Sequence, residues 1–212
     1  MGPPAARLFS MSIVPDQVPA GEYVPTADQR IVMRASWEQY EALLTLRGDV
    51  AGPRMAYLDG VVELMSPSKD HERIKGYIGR LIETFALERG IDLSPYGGWL
   101  QKAADKRAGV EPDECYLVGE DQGRARPDLA IEVVWTSGGI RKLEIYRRLD
   151  VKEVWFWKKD VVQIHVLREG RYVRTDVSEA FPGLDLALLC SFLGAPTLTQ
   201  AIKGYRTALA GT

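Results

Sequence analysis

Asp128-Leu-Ala-Ile-Glu-Val-Val-Trp135 is an apolar run with one carboxylate, Glu132, in its interior. Pro127 before it and Thr136-Ser137-Gly138-Gly139 after it bound a segment of strand length, and its valines and isoleucine favour extended backbone. Apolar residues stand at nearly every position rather than at every second one, so the strand is covered on both faces, as at the centre of a sheet flanked by helices. A carboxylate in that setting costs several kcal/mol unless it is paired or bound to a cation. Glu132 is therefore the first candidate for chemistry.

On the C-terminal side, the Thr136 to Gly139 turn leads into a helix over 140–149, with Ile140, Leu143 and Tyr146 on its buried face. A hairpin follows over 154–166 across Lys158-Lys159-Asp160, then an edge strand at Tyr172-Val173 and a mostly helical tail from Leu184. On the N-terminal side, strands are expected at 113–118, 99–102 and 91–94. The strongest helix covers 66–89, with Ser66 as its cap, Pro67 in the first turn, an apolar stripe of Ile74, Ile78, Leu81, Ile82 and Phe85, and Gly90 at its end. Asp59-Gly60 between two apolar runs marks a two-residue hairpin, and Ser36 caps a short helix that stops near Gly48. Residues 1–28 carry five prolines without periodicity and read as an N-terminal arm, leaving residues 29–212 as one domain. The alternation of strands and helices predicts an α/β fold in which the strands of Glu63, Asp113 and Glu132 share one mixed sheet flanked by helices.

Composition narrows the function classes. The chain has 212 residues, 46% hydrophobic and 26% charged, with a formal net charge of −2. That balance excludes a disordered or collagenous chain and a strongly basic surface gripping nucleic acid non-specifically. Any phosphate binding must be local, and the segment from Arg124 to Arg148 supplies a patch of six basic against three acidic residues. Cys115 and Cys190 are too few for a disulfide framework or a zinc cage. The absence of an 18-residue apolar run and of a secretory leader pattern predicts a cytoplasmic protein. Phosphate-loop, dinucleotide, serine-hydrolase and zinc-protease motifs are all missing.

The acidic residues carry the chemistry that composition does not. Asp113 opens the strand before that of Glu132, so the two carboxylates can lie on neighbouring strands and hold one hard divalent cation with several waters. The alternative is a buried ion pair with Arg124, Arg126 or Lys142, and the residues leave both readings open. Glu63 ends a strand beside the long helix, where it can approach the same sheet end. Lys142, in the first turn of the 140–149 helix, has a stem long enough to reach back to that end. His71 stands in the first turn of the long helix, either facing the site or as an ordinary helix histidine.

Taken in order, these motifs resemble the Uma2 family, a set of bacterial proteins with the restriction-endonuclease-like PD-(D/E)xK fold. The resemblance rests on Tyr57-Leu-Asp-Gly-Val-Val-Glu-Leu-Met-Ser-Pro-Ser68 with His71 downstream, Pro112-Asp113, Pro127-Asp-Leu-Ala-Ile-Glu-Val133, Lys142-Leu-Glu-Ile-Tyr146 and Asp150-Val-Lys-Glu-Val-Trp155. It implies a restriction-endonuclease-like mixed sheet and a Mg²⁺-dependent DNA endonuclease, with Mn²⁺ able to substitute. It also implies that Asp113 and Glu132 are the metal ligands, Glu63 the helix-side acid and Lys142 the lysine. Val134 occupies the position where the plain motif has lysine, so Lys142 supplies that role from the helix. Cutting two strands favours a homodimer. The rival from another class is a non-catalytic nucleic-acid or partner-binding scaffold that keeps the nuclease fold.

Overall fold

A computed structural model describes residues 27–135 and 139–211. Most of the expected arm, residues 1–26, lies outside the described residues, as do Thr136, Ser137 and Gly138 of the turn after the Glu132 strand.

Two sheets, not one, carry the predicted site. Strands β1 (Gln29–Arg34), β2 (Arg54–Leu58), β3 (Val61–Ser66), β5 (Gln101–Ala103) and β6 (Ala108–Val110) form an antiparallel sheet in the order β1-β3-β2-β6-β5. The other six, β4 (Leu93–Pro95), β7 (Glu114–Val118), β8 (Leu129–Val133), β9 (Glu153–Lys158), β10 (Val161–Arg168) and β11 (Arg171–Thr175), are ordered β11-β10-β9-β8-β7-β4. This second sheet is mixed, because β8 and β9 run parallel and are joined through helix α3 (Lys142–Arg148). Glu63 therefore belongs to the first sheet and Glu132 to the second. A one-sheet expectation fails here because an Asp-Gly hairpin fixes only the pairing of β2 with β3, not the sheet that hairpin joins.

The layers follow from strand parity. Leu129, Ile131 and Val133 of β8 face α2 (Lys69–Arg89), which buries Ile74, Ile78, Leu81, Ile82 and Phe85 against them. α4 (Leu186–Ser191) and α5 (Leu198–Ala210) complete this side through Leu189, Ala201, Tyr205 and Leu209. Ala130, on the other face of β8, packs with Ile145, Tyr146 and Leu149 of α3 and with Ala56, Leu58, Ala108 and Val110 of the first sheet. α1 (Trp37–Arg47), capped by Ser36 and Gln39, covers the outer face of the first sheet with Tyr40 stacked on Tyr57. Gly109 in β6 is fixed by that layer, since a Cβ there would fall 2.6 Å from the Tyr40 hydroxyl.

Helix α2 starts later than its sequence suggests. β3 runs through Ser66, and the cap is Ser68, whose hydroxyl accepts the His71 N–H. Pro67 thus precedes the cap. His71 lies in the first turn as expected, fully buried at the junction of the two sheets. No described helix is long and apolar enough to cross a membrane.

Candidate active site

The interior between the sheets holds a layer of buried charge. Glu63, Asp113 and Glu132 are 1%, 1% and 2% exposed, and Asp28 and His71 are buried with them. Parity puts them there. Residues 54, 56 and 58 of β2 alternate to one face, Ala56 pairs with Glu63, and Val32 pairs with Glu63 from β1, so Arg30, Arg54 and Glu63 share the face that Ala56 turns to α3.

Asp113 stands one step before the first β7 pair, Glu114 with Ile131, which sets it opposite Glu132 across the ladder. Its N–H donates to the Ile131 carbonyl at 3.2 Å, and its Oδ2 accepts the Val133 N–H at 2.6 Å. Oδ1 meets the His71 Nε2 at 3.1 Å and pairs with Arg54, which also reaches Glu72 at 2.9 Å. Within these ion pairs Oδ1 has no well-directed hydrogen bond. Glu132 is held from α3: Lys142 Nζ donates to Oε2 at 2.5 Å and the Tyr146 hydroxyl to Oε1 at 2.5 Å. Lys142 and Tyr146 are four apart, one above the other on the helix, so one helical face grips both oxygens. Burial and then the Glu132 charge push the Tyr146 phenol well above its ordinary pKa of 10.0, keeping it a donor.

Glu63 reaches the same region through the chain before α3. Its Oε2 accepts the Ile140 N–H at 3.0 Å and its Oε1 pairs with Arg30 at 3.5 Å. Gly139, at φ +101°, is required by this approach, since a Cβ there would lie 2.0 Å from Glu63 Oε2. Arg30 also pairs with Asp28 at 3.4 Å, and Asp28 Oδ2 meets His71 Nδ1 at 3.1 Å. Burial alone would raise the Asp28 pKa, but the His71 ring, the Ser68 N–H and Arg30 hold it well below the usual carboxylate range. Asp28 to His71 to Asp113 is thus one continuous buried chain of contacts.

The structure brings Asp113, Glu132 and Lys142 together at the start of β7, the end of β8 and the start of α3, and Glu63 joins them through Ile140. Arg124 and Arg126 take no part: Arg124 pairs with Asp128, and Arg126 donates to Gln101 at 3.0 Å. Asp128, which shares a strand face with Glu132, is tied up by Arg124 and Lys152 and belongs to the fold. Asp28, Arg30, Arg54 and Tyr146 are site residues that sequence reasoning missed. Arg30 and Arg54 could have been found by counting parity along β1 and β2, and Tyr146 by its i+4 spacing from Lys142.

Among the described residues no three histidine, cysteine or acidic side chains form a ready metal cage. Asp113 and Glu132, opposite each other at the β7–β8 ladder, are the oxygen donors that a hard divalent ion takes along with several waters, and such an ion would displace the Arg54, His71 and Lys142 contacts that now occupy them. A cavity of about 650 Å³ opens beside Glu132 and Lys142, lined also by Phe156 and Tyr172 and by Arg141 and Arg171.

Two sheets with helices outside and a layer of buried charge between them make a mixed α/β architecture of nuclease-like form. In agreement with this, the fold is similar to that of a crystal structure described as a "putative nuclease belonging to DUF820" from Anabaena variabilis ATCC 29413. The TM-score is 0.52 at 14% identity, over 74% of this chain and 98% of that one. Residues 37–199 match the Uma2 family, described as "Putative restriction endonuclease", and the chain belongs to that family. No curated protein matches the sequence.

Proposed function

We propose that this protein is a Mg²⁺-dependent endonuclease that hydrolyses phosphodiester bonds in DNA, working as a homodimer so that two sites meet two strands. The observation that carries the reading is the contact of Lys142 Nζ with Glu132 Oε2 at 2.5 Å, opposite Asp113, which assembles two acids and a lysine at one sheet end. Asp113 and Glu132 would hold the ion, which when bound polarises a phosphoryl oxygen and acidifies a bound water. Lys142 then orients the attacking water and offsets charge that builds on the phosphoryl group in the transition state. Tyr146 keeps Glu132 aimed, and His71 and Arg54 do the same for Asp113. Glu63 acts through the Ile140 N–H, fixing the chain two residues before Lys142.

Mg²⁺-dependent cleavage of plasmid and linear DNA by wild type and Lys142→Ala tests the reading. The lysine variant should lose about 10²-fold or more in rate with substrate binding nearly intact, because the lost interaction acts on transition-state charge. Undiminished cleavage by Lys142→Ala would remove the lysine from the mechanism. The scaffold reading draws support from one observation, that both oxygens of Glu132 already have protein donors. It predicts DNA binding without cleavage at any Mg²⁺ or Mn²⁺ concentration.

A further inference from the structure

The cavity beside Glu132 has a composition that a metal site alone does not need. Its floor is apolar and aromatic: Leu143, Phe156 and Tyr172 line it and pack on the core between the sheets. Phe156 is the register partner of Glu132 on the parallel strand β9, so its ring stands on the same face, directly beside the candidate site. The Tyr172 hydroxyl is engaged by the Val151 carbonyl at 2.6 Å, which fixes the ring while leaving its surface to the cavity. At the mouth are Arg141 and Arg171, both exposed, whose guanidinium groups make no ion pair or hydrogen bond among the described residues. Arg147, also on the wall, differs from them in being tied to Glu144.

Aromatic surface next to Glu132 and two arginines without acidic partners at the rim is the chemistry of a nucleotide site. A base offers a flat π-face to aromatic rings, and phosphates on either side of it offer pairs of anionic oxygens to guanidinium forks. At about 650 Å³ the cavity falls within the usual size of small-ligand pockets and is large enough for one nucleoside.

We propose that this cavity is a nucleotide pocket that takes one unpaired nucleoside of the DNA strand, with its base against Phe156 and Tyr172 and its flanking phosphates on Arg141 and Arg171. The proposal deepens the nuclease reading and rests on it for the placement of the strand beside Glu132. Its consequence is a preference for single strands: a duplex must first unstack and extrude a nucleotide to fill the pocket, and a single strand need not.

Fluorescence anisotropy with a short labelled oligonucleotide, single-stranded and as a duplex, in EDTA so that nothing is cut, tests this independently of catalysis. Wild type should bind the single strand roughly tenfold or more tightly than the duplex. Phe156→Ala should weaken single-strand binding by about tenfold with little effect on the duplex. Arg141→Ala with Arg171→Ala should lower affinity and reduce the salt dependence by roughly one to two ions released. The two arginines are exposed, so this variant keeps the test sound if Phe156→Ala fails to fold. Equal binding of single strand and duplex, or an unaltered salt dependence in the double arginine variant, would overturn the pocket. Single-strand preference with no cleavage when Mg²⁺ is restored would leave the pocket standing and remove the nuclease reading instead.

Discussion

Glu132 and Glu153 are both 2% exposed carboxylates on adjacent parallel strands, yet their surroundings differ in kind. Glu153 is enclosed by neutral donors: the Trp155 indole at 2.5 Å, the Ser178 hydroxyl at 2.7 Å and the backbone N–H groups of Glu179 and Ala180 at 2.8 and 3.0 Å. The Ser178, Glu179 and Ala180 donors pin the chain after β11 to the sheet. Glu132 is held by a lysine and a tyrosine on one short helix, with Lys142 bordering the cavity. A buried acid enclosed by neutral donors of the fold is structural, whereas one paired with a lysine that borders a cavity is available for chemistry. Burial alone does not distinguish the two; the donors do.

Substitution separates them most sharply. Glu132→Gln should reduce Mg²⁺-dependent cleavage by about 10²-fold or more while changing unfolding free energy by only about 1 kcal/mol, since Tyr146 can still donate and Lys142 can turn to the cavity. Glu153→Gln should do the reverse, costing about 3 kcal/mol in denaturant unfolding, because an amide nitrogen replaces an acceptor among donors. Equal destabilisation by the two variants would erase the distinction.

A smaller effect is expected where the charged layer meets the chain before α3. Gly139→Ala should cost about 1–3 kcal/mol, because the residue's positive φ and the nearby Glu63 carboxylate both oppose a side chain. Its thermal midpoint and its cleavage rate should fall together if Glu63 acts by fixing Ile140.

The comparison also sorts what could be read from the chain. Glu132 was legible because a charge inside an apolar strand is a local anomaly, Asp113 because it opens the strand before it, and Lys142 because it lies in the first turn of the helix after it. The Asp28, Arg30 and Arg54 contributions were not. Arg30 sits in a strand whose partner, β3, is distant in sequence, and Arg54, although part of the β2–β3 hairpin that the Asp59-Gly60 turn announces, faces inward only because of the side on which that hairpin meets the second sheet. Asp28 follows a proline-rich segment and reads as arm, yet it is buried against Ser68 and His71. β6 was missed because Gly109 lowers its strand propensity; it is held by pairing with β2 and β5, and the Tyr40 ring leaves room at 109 for nothing larger. The division into two sheets was invisible for a related reason: hairpins report local pairing, while sheet membership depends on contacts made far along the chain.

Asp28 gives the smallest and most pH-specific effect. Its folded pKa lies below the unfolded value of 3.8, so it stabilises the protein above that pH and the contribution fades as pH falls through about 4 and below. Asp28→Asn should therefore lower the thermal midpoint by several degrees at pH 7, and the gap from wild type should narrow in acid. A gap independent of pH would assign the loss to packing rather than to charge.

The central claim is that Asp113 and Glu132 together form a divalent-ion site, and a Mg²⁺ titration followed by thermal melting of wild type and Asp113→Asn addresses it without any substrate. A ligand that binds only the folded state raises its stability by about 2.7 kcal/mol at one hundred times its Kd. The wild-type midpoint should rise with Mg²⁺ or Mn²⁺ while that of Asp113→Asn stays level. A wild-type midpoint indifferent to millimolar metal, or an equal rise in both proteins, would contradict it.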